Sequence, residues 1–101
     1  MRQAVKITEI MKKQVVLKIY GRVQGVLFRY SSQKKAKDLN LSGWARNETD
    51  GTVQIVAEGE EKDLNEFINW CRSGEVGPAK VDKVDIEWQE PTGEFNDFSV
   101  K

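Results

Sequence analysis

The fold is decided by the stretch VVLKIYGRVQGVLFR, which occupies residues 15–29. Its first six residues are apolar except for Lys18, and this alternating run is typical of a β-strand. Residues 30–39, rich in Lys, Gln, Ala and Leu, favour a helix. Between the strand and the helix lie Gly21 and Gly25, which allow the backbone to turn tightly. The stretch therefore predicts a strand, a glycine-containing loop and a helix.

Such a loop has two interpretations. Glycines let backbone N–H groups converge, and a helix N-terminus adds partial positive charge, so the loop can hold an anion. Arg29, at the predicted helix entrance, would add a guanidinium suited to phosphate oxygens. Alternatively, Gly21 and Gly25 serve only an ordinary turn. The spacing matches neither the Walker A loop nor the dinucleotide fingerprint, so the loop alone does not decide between the two.

The composition excludes several classes of protein. The chain has 101 residues, with 16 basic and 16 acidic side chains, no histidine and one cysteine. This length predicts one domain, and the charge balance argues against nucleic-acid or anionic-membrane binding. Without histidine there is no histidine triad or imidazole metal ligand. The lone Cys71 cannot form an internal disulfide, which fits a cytoplasmic protein.

The N-terminal segment differs from the rest of the chain. Residues 1–14 carry scattered charges and no apolar core, so they do not resemble a signal peptide. We expect a loosely ordered extension here, followed by a single domain over residues 15–101. No apolar run approaches the roughly 20 residues of a membrane span, so we expect no membrane association.

Four elements and a C-terminal segment follow the first helix. Alternation predicts strands over residues 41–47, 52–58 and 80–89, with a hairpin turn at Asp50-Gly51. The stripe of Leu64, Phe67, Ile68 and Cys71 predicts a helix over residues 60–72 with one buried face. Cys71 is thus interpreted as a small buried apolar residue. Residues 95–100 predict a short fifth strand or a C-terminal segment tucked against the core.

The order β-α-β-β-α-β predicts an α+β, ferredoxin-like sandwich. We expect an antiparallel sheet of four to five strands, in the order 4-1-3-2, with two helices on one face. Strands one and two then run parallel with strand three between them. Asn47, at the end of strand two, would lie roughly 10 Å from the glycine loop at the end of strand one.

Two motifs resemble those of the acylphosphatase family. Residues 21–29 match the pattern G-x-V-Q-G-V-x-F-R of its first motif at every defining position. The second motif is matched by GWARN at residues 43–47, followed by Gly51, Val53 and Gly59. The resemblance extends over about residues 15–101. It implies hydrolysis of acyl phosphates, which are mixed anhydrides of carboxylic and phosphoric acids, with neither metal nor other cofactor.

The resemblance also implies roles for individual residues. Arg29 would bind the phosphoryl group, and Asn47 would hold the attacking water. The remaining phosphate ligands would be backbone N–H groups of Val23, Gln24, Gly25, Val26, Leu27 and Phe28. Residue 48 is often Thr in relatives but is Glu48 here. We expect this change to have little catalytic effect, although a nearby carboxylate could weaken anion binding slightly. Arg22 and Arg46 are interpreted as solvated surface charges.

Two rival functions share these features. An RNA-recognition module has the same topology, but it displays aromatic residues on strands one and three, and strand three has none here. A non-catalytic phosphate or metabolite sensor could use the same loop. The enzyme hypothesis predicts a small-molecule acyl phosphate as partner, no nucleic acid, a monomeric state and a cytoplasmic location.

Overall fold

The computed structural model describes residues 11–73 and 76–101. These residues form five strands and two helices: β1 (Lys12–Arg22), α1 (Phe28–Asp38), β2 (Ser42–Asn47), β3 (Val53–Glu60), α2 (Glu61–Ser73), β4 (Lys80–Gln89) and β5 (Phe98–Val100). The order of elements is the predicted one, and the ferredoxin-like α+β class is confirmed. In the described part of the chain, no helix is long and apolar enough to cross a bilayer.

The sheet has the order β4-β1-β3-β2-β5. The predicted order of the first four strands is confirmed, but the expectation of a fully antiparallel sheet is wrong. β5 pairs with β2 in parallel, so the sheet is mixed. The reason lies in residues 90–97, which connect β4 at one edge to β5 at the other. This connection passes the end of the sheet where β2 begins, so β5 starts there and runs in the same direction as β2.

The core lies between the inner face of the sheet and the two helices. Leu17, Ile19 and Ile55 point inward from the central strands and are fully buried against Phe28 and Phe67 of the helices. The predicted stripe on α2 is confirmed, since its four residues are all buried. On α1, Phe28, Ser32 and Ala36 are buried, and Leu39, the residue that follows the helix, is partly buried.

The start of β1 differs from the predicted boundary. β1 begins at Lys12, and residues 12–14 pair with Glu60, Gly59 and Glu58 of β3. These residues lack apolar alternation, so pairing with β3 rather than local pattern makes them a strand. The last three residues of the predicted extension therefore belong to the sheet. Residues 1–10 lie outside the described part of the structure, and the expectation for them stays a prediction.

A buried carboxylate fastens the connection between β4 and β5. Glu58 accepts hydrogen bonds from the side chain of Gln14 at 2.6 Å, from the backbone N–H and hydroxyl of Thr92 at 2.7 and 2.8 Å, and from the N–H of Gly93 at 3.0 Å. Burial alone would raise the pKa of Glu58, but these hydrogen bonds outweigh it and leave the pKa lowered. The carboxylate thereby holds residues 90–97 along the end of the sheet.

Candidate active site

The loop between β1 and α1 is shaped by two residues with positive φ. Gly25 has φ 74° and Leu27, the N-cap residue of α1, has φ 65°. No side chain caps the helix start, and its first turn contains no acidic residue. The first N–H groups of a helix have no partner within the helix itself. This end of α1 therefore presents backbone donors and partial positive charge without a carboxylate of its own.

The two loop glycines have different structural reasons. A Cβ at Gly21 would overlap the backbone carbonyl oxygen of Lys80, so glycine is required there by the close approach of β4. At Gly25 nothing lies within 4 Å of a Cβ position, and the positive φ alone favours glycine. Gly21 thus has a structural role in packing, which agrees with the interpretation that it does not itself serve anion binding. Gly25 leaves the surface of the loop open.

Gln24 joins the loop to the β2–β3 hairpin. Its side-chain amide donates to the backbone carbonyl of Glu48 at 2.7 Å and to that of Thr52 at 2.9 Å. Glu48 and Thr52 also bond to each other, from the N–H of Glu48 to the carbonyl of Thr52 at 2.8 Å. One side chain therefore connects the two motifs, and its contacts begin one residue after Asn47.

Arg29 lies in the first turn of α1, half-buried beside the loop. Its Nη1 donates to the main-chain oxygen of Lys101 at 2.6 Å, and its guanidinium carbon lies 5.7 Å from the centre of the Tyr30 ring. Lys101 in turn donates its N–H to the carbonyl of Ala45 in β2 at 2.9 Å. The C-terminal strand thus reaches the same end of the sheet as the loop and restrains the Arg29 side chain.

Asn47 is the last residue of β2, at the end of the sheet where the loop lies. It lies opposite Val53 of β3, which lies opposite Ile19 of β1, so two strand spacings separate Asn47 from Ile19, about 10 Å. Residues paired in this way point to the same face, and Val53 and Ile19 are buried under the helices. The Oδ1 atom of Asn47 is buried and has no hydrogen-bond partner among the described residues. Such unpaired buried oxygens are rare in proteins.

The charged neighbours of Asn47 pair with one another. The Nε of Arg46 donates to a carboxylate oxygen of Glu48 at 2.8 Å, and its Nη2 donates to the side chain of Gln54 at 3.0 Å. The guanidinium also lies 4.7 Å from the Trp44 ring. Arg46 is exposed, as predicted for a surface charge. Because Glu48 is paired with Arg46, its effect on an anion in the loop is reduced.

A hollow of about 170 Å³ opens beside the loop. It is lined by Val23, Gly25, Leu27, Phe28, Arg29 and Tyr30. The structure therefore brings the predicted loop and Arg29 together, with Asn47 two strands away and not part of this lining. Larger hollows of 330–380 Å³ lie elsewhere on the surface, and neither Arg29 nor a residue of the loop lines them. In the described ranges, no three His, Cys, Asp or Glu side chains are grouped to hold a metal ion.

Comparison with known proteins identifies the family. The family model described as Acylphosphatase matches residues 15–100, which is most of the chain and includes both motifs. The chain belongs to the acylphosphatase family. The resemblance drawn from residues 21–29 and 43–59 is therefore confirmed, and with it the assignment to a family of hydrolases.

Relatives in the acylphosphatase family are similar along nearly their whole length. An acylphosphatase of Roseiflexus sp. is 46% identical over 82 residues, which cover 81% of this chain and 87% of the relative. One of Caldanaerobacter subterraneus is 44% identical over 90 residues, covering 89% and 99%. The crystal structure of acylphosphatase from Bacillus subtilis aligns with a TM-score of 0.82 at 35% identity, covering 90% of this chain and 99% of that one.

Two contacts of this acylphosphatase-family site were not predicted from the sequence. The first is the hydrogen bond from the Gln24 side chain to the β2–β3 hairpin. The sequence had predicted a role only for the backbone N–H of Gln24. The second is the contact between Arg29 and Lys101. A parallel pairing of β5 with β2 would have indicated the second contact, because parallel strands end at the same edge of a sheet.

Proposed function

We propose that this protein hydrolyses acyl phosphates to a carboxylate and inorganic phosphate. The phosphoryl group binds to the backbone N–H groups of residues 23–28 and to Arg29, and Asn47 holds the attacking water. The observation that carries the proposal is the buried, unpaired Oδ1 of Asn47 at the loop edge of the sheet. An oxygen acceptor left free in a buried position can take a hydrogen bond from a water molecule.

Arg29 and the loop supply the positive charge. A guanidinium has five N–H donors, and the structure shows one Arg29 nitrogen bonded to Lys101. Phosphoryl transfer depends chiefly on positioning and on stabilising charge at the equatorial oxygens. The uncapped start of α1 adds further donors at the same place. These groups act on the phosphoryl oxygens without a metal ion in the proposed mechanism.

The chemistry of the substrate explains why no histidine is needed. The oxygen of the water forms a bond to phosphorus while the bond from phosphorus to the acyl oxygen breaks. The leaving group departs as a carboxylate, which is stable at neutral pH and needs no strong general acid. Asn47 can orient the water but cannot deprotonate it. A phosphate oxygen of the substrate takes the proton, and inorganic phosphate is released.

The test is hydrolysis of benzoyl phosphate in the presence of a metal chelator. Asn47→Ala should lose turnover while retaining inhibition by inorganic phosphate, and Arg29→Lys should lose at least ~100-fold in rate because the bidentate fork is gone. Asn65→Ala and Arg72→Lys, on the exposed side and at the end of α2, are the matched controls. Turnover near the wild-type rate in either site variant would refute its assigned role.

Two further outcomes distinguish the alternatives. If the folded wild-type protein binds phosphate without any turnover, the site belongs to a sensor rather than an enzyme. If it turns over, the pH–rate profile tests the proton path. Proton transfer to the substrate predicts a flat profile across neutral pH, whereas a sharp limb near pH 7 would require a titrating group of the protein.

We also infer that the protein acts as a cytoplasmic monomer on a small molecule, without nucleic acid. The monomeric state and the absence of nucleic acid are supported by the outer face of the sheet, where Tyr20 is bordered by Lys83 at 4.3 Å and Lys18 lies opposite Asp85 in the register of β1 and β4. Alternating charges of this kind suit neither a stacking platform for bases nor an apolar dimer interface. Sedimentation at the mass of one chain, and no mobility shift with single-stranded RNA, are the expected results.

A further inference from the structure

Two exposed apolar side chains flank Arg29. Among the described residues, four large hydrophobic side chains are strongly exposed: Met11, Leu27, Tyr30 and Trp88. Leu27 is the most exposed of them at 68%, and Tyr30 is 54% exposed. Both line the hollow beside the loop, on either side of Arg29 along the chain. Two of the four, including the most exposed one, thus lie at the mouth of the loop between β1 and α1.

Neither backbone conformation nor burial favours a leucine at position 27. At φ 65° a branched, bulky residue is strongly disfavoured, and glycine or asparagine adopts this conformation more readily. Burial does not compensate, because most of the side chain is in solvent. It also makes no side-chain capping bond to α1. Strained backbone conformations cluster at active sites and ligand-binding loops, so Leu27 is a candidate for a role in binding.

The hollow explains what such a side chain would meet. At about 170 Å³ it is small, so a substrate whose phosphoryl group lies against the loop must extend its acyl group past the rim. The rim residues with apolar surface are Leu27 and Tyr30. Asn47 does not line the hollow, which is compatible with a water and an acyl group on different sides of phosphorus, as in-line displacement requires.

We propose that Leu27 and Tyr30 form an acyl subsite that binds apolar acyl groups, aromatic ones above all. This inference rests on the proposed hydrolysis of acyl phosphates. An acyl group with a ring or a branched chain removes apolar area of both side chains from water, whereas an acetyl group is too short to cover them. The enzyme then discriminates in favour of aromatic and branched acyl phosphates at the same phosphoryl site.

The experiment compares kcat/KM for benzoyl phosphate with kcat/KM for acetyl phosphate, since the ratio cancels effects common to both substrates. Leu27→Asn removes the apolar side chain while tolerating the left-handed conformation. Tyr30→Ala removes the second rim residue. Each change should lower the ratio of the two kcat/KM values by ~3–10-fold. We expect a smaller effect than in a closed pocket, because an open rim covers less of the acyl group. Trp88→Ala is the control, since Trp88 is 42% exposed at the opposite end of β1, beside Val15.

The outcomes separate this proposal from the proposed function. A lower ratio in both variants, with the Trp88→Ala ratio unchanged, supports the subsite. An unchanged ratio in both variants overturns it, even if both substrates are hydrolysed. If Leu27→Asn slows both substrates equally and weakens inhibition by phosphate, Leu27 acts through the loop backbone and the subsite is refuted for that residue. Failure of the wild-type protein to hydrolyse either substrate would instead refute the proposed function.

Discussion

Replacing Gln24 tests whether the two motifs must be held together. In Gln24→Met the side chain keeps its length but loses both donors to the carbonyls of Glu48 and Thr52. Each net hydrogen bond is worth about 0.5–1.5 kcal/mol. The Glu48 carbonyl still accepts from the N–H of Gly51 at 3.2 Å, and the Thr52 carbonyl still accepts from the N–H of Glu48 at 2.8 Å, so neither carbonyl is left unpaired. The free energy of unfolding should therefore fall by only about 1–2 kcal/mol.

The effect on activity should be larger than the effect on stability. Without the Gln24 contacts, the loop and the hairpin that carries Asn47 are free to shift relative to each other. A displacement of about 1 Å between reacting groups can cost on the order of 100-fold in rate. We expect kcat of Gln24→Met to fall by ~10–100-fold. Inhibition by inorganic phosphate should change by less than ~3-fold, because phosphate alone needs only the loop and Arg29.

The assay combines benzoyl phosphate kinetics, phosphate inhibition and urea unfolding of each variant. Gln54→Met is the matched control, since Gln54 makes a surface hydrogen bond to Arg46 away from the loop. It should retain kcat within ~2-fold, as expected for an exposed polar contact. A folded Gln24→Met protein with unchanged kcat would show that the loop is positioned without its side chain, and the reasoning would fail.

Three further predictions concern stability and reactivity. Leu64→Ala should lower the free energy of unfolding by ~2–5 kcal/mol in urea titrations, since Leu64 is fully buried and leaves a cavity; no loss would contradict the assigned face of α2. Glu58→Gln should be less stable than wild type by ~1–3 kcal/mol at pH 7. Hydrogen bonds lower the pKa of Glu58 in the folded protein, so the stability that its carboxylate contributes is present above the ordinary pKa of 4.5 and is lost as the pH falls through the lowered pKa of the folded state. An equal difference in unfolding free energy between wild type and Glu58→Gln at pH 7 and at pH 3 would refute this prediction. Cys71 should resist iodoacetamide at pH 8 until urea is added, because burial raises the pKa of its thiol; alkylation of the native protein would contradict this.

Local patterns were sufficient for the elements and their buried faces. The inward residues Leu17 and Ile55 follow a period of two, and Leu64 and Phe67 follow the helical repeat, so each face could be predicted without the fold. The boundaries were less accurate. β1 begins at Lys12 because β3 provides a partner strand there, and no local signal in these polar residues indicates it.

The candidate site was predictable as residue positions but not as contacts. The two motifs identified the loop, Arg29 and Asn47 as candidates. The order of elements predicted that β1, which precedes the loop, and β2, which ends at Asn47, lie two strand spacings apart. The direction of β5 was not predictable, because three residues of strand pattern do not show which way the preceding connection runs. That direction decides that Lys101 lies beside Arg29.

The sequence by itself determined the order of elements, the glycine loop, the absence of histidine chemistry and the family. Only the tertiary structure decided how the site is held together. Gln24 bonds to residues 24 and 28 positions away, and Arg29 bonds to one 72 positions away. Such contacts depend on strand register and on the path of connections across the sheet. The unpaired oxygen of Asn47 arises in the same way, because burial at the end of β2 is set by the elements packed around it.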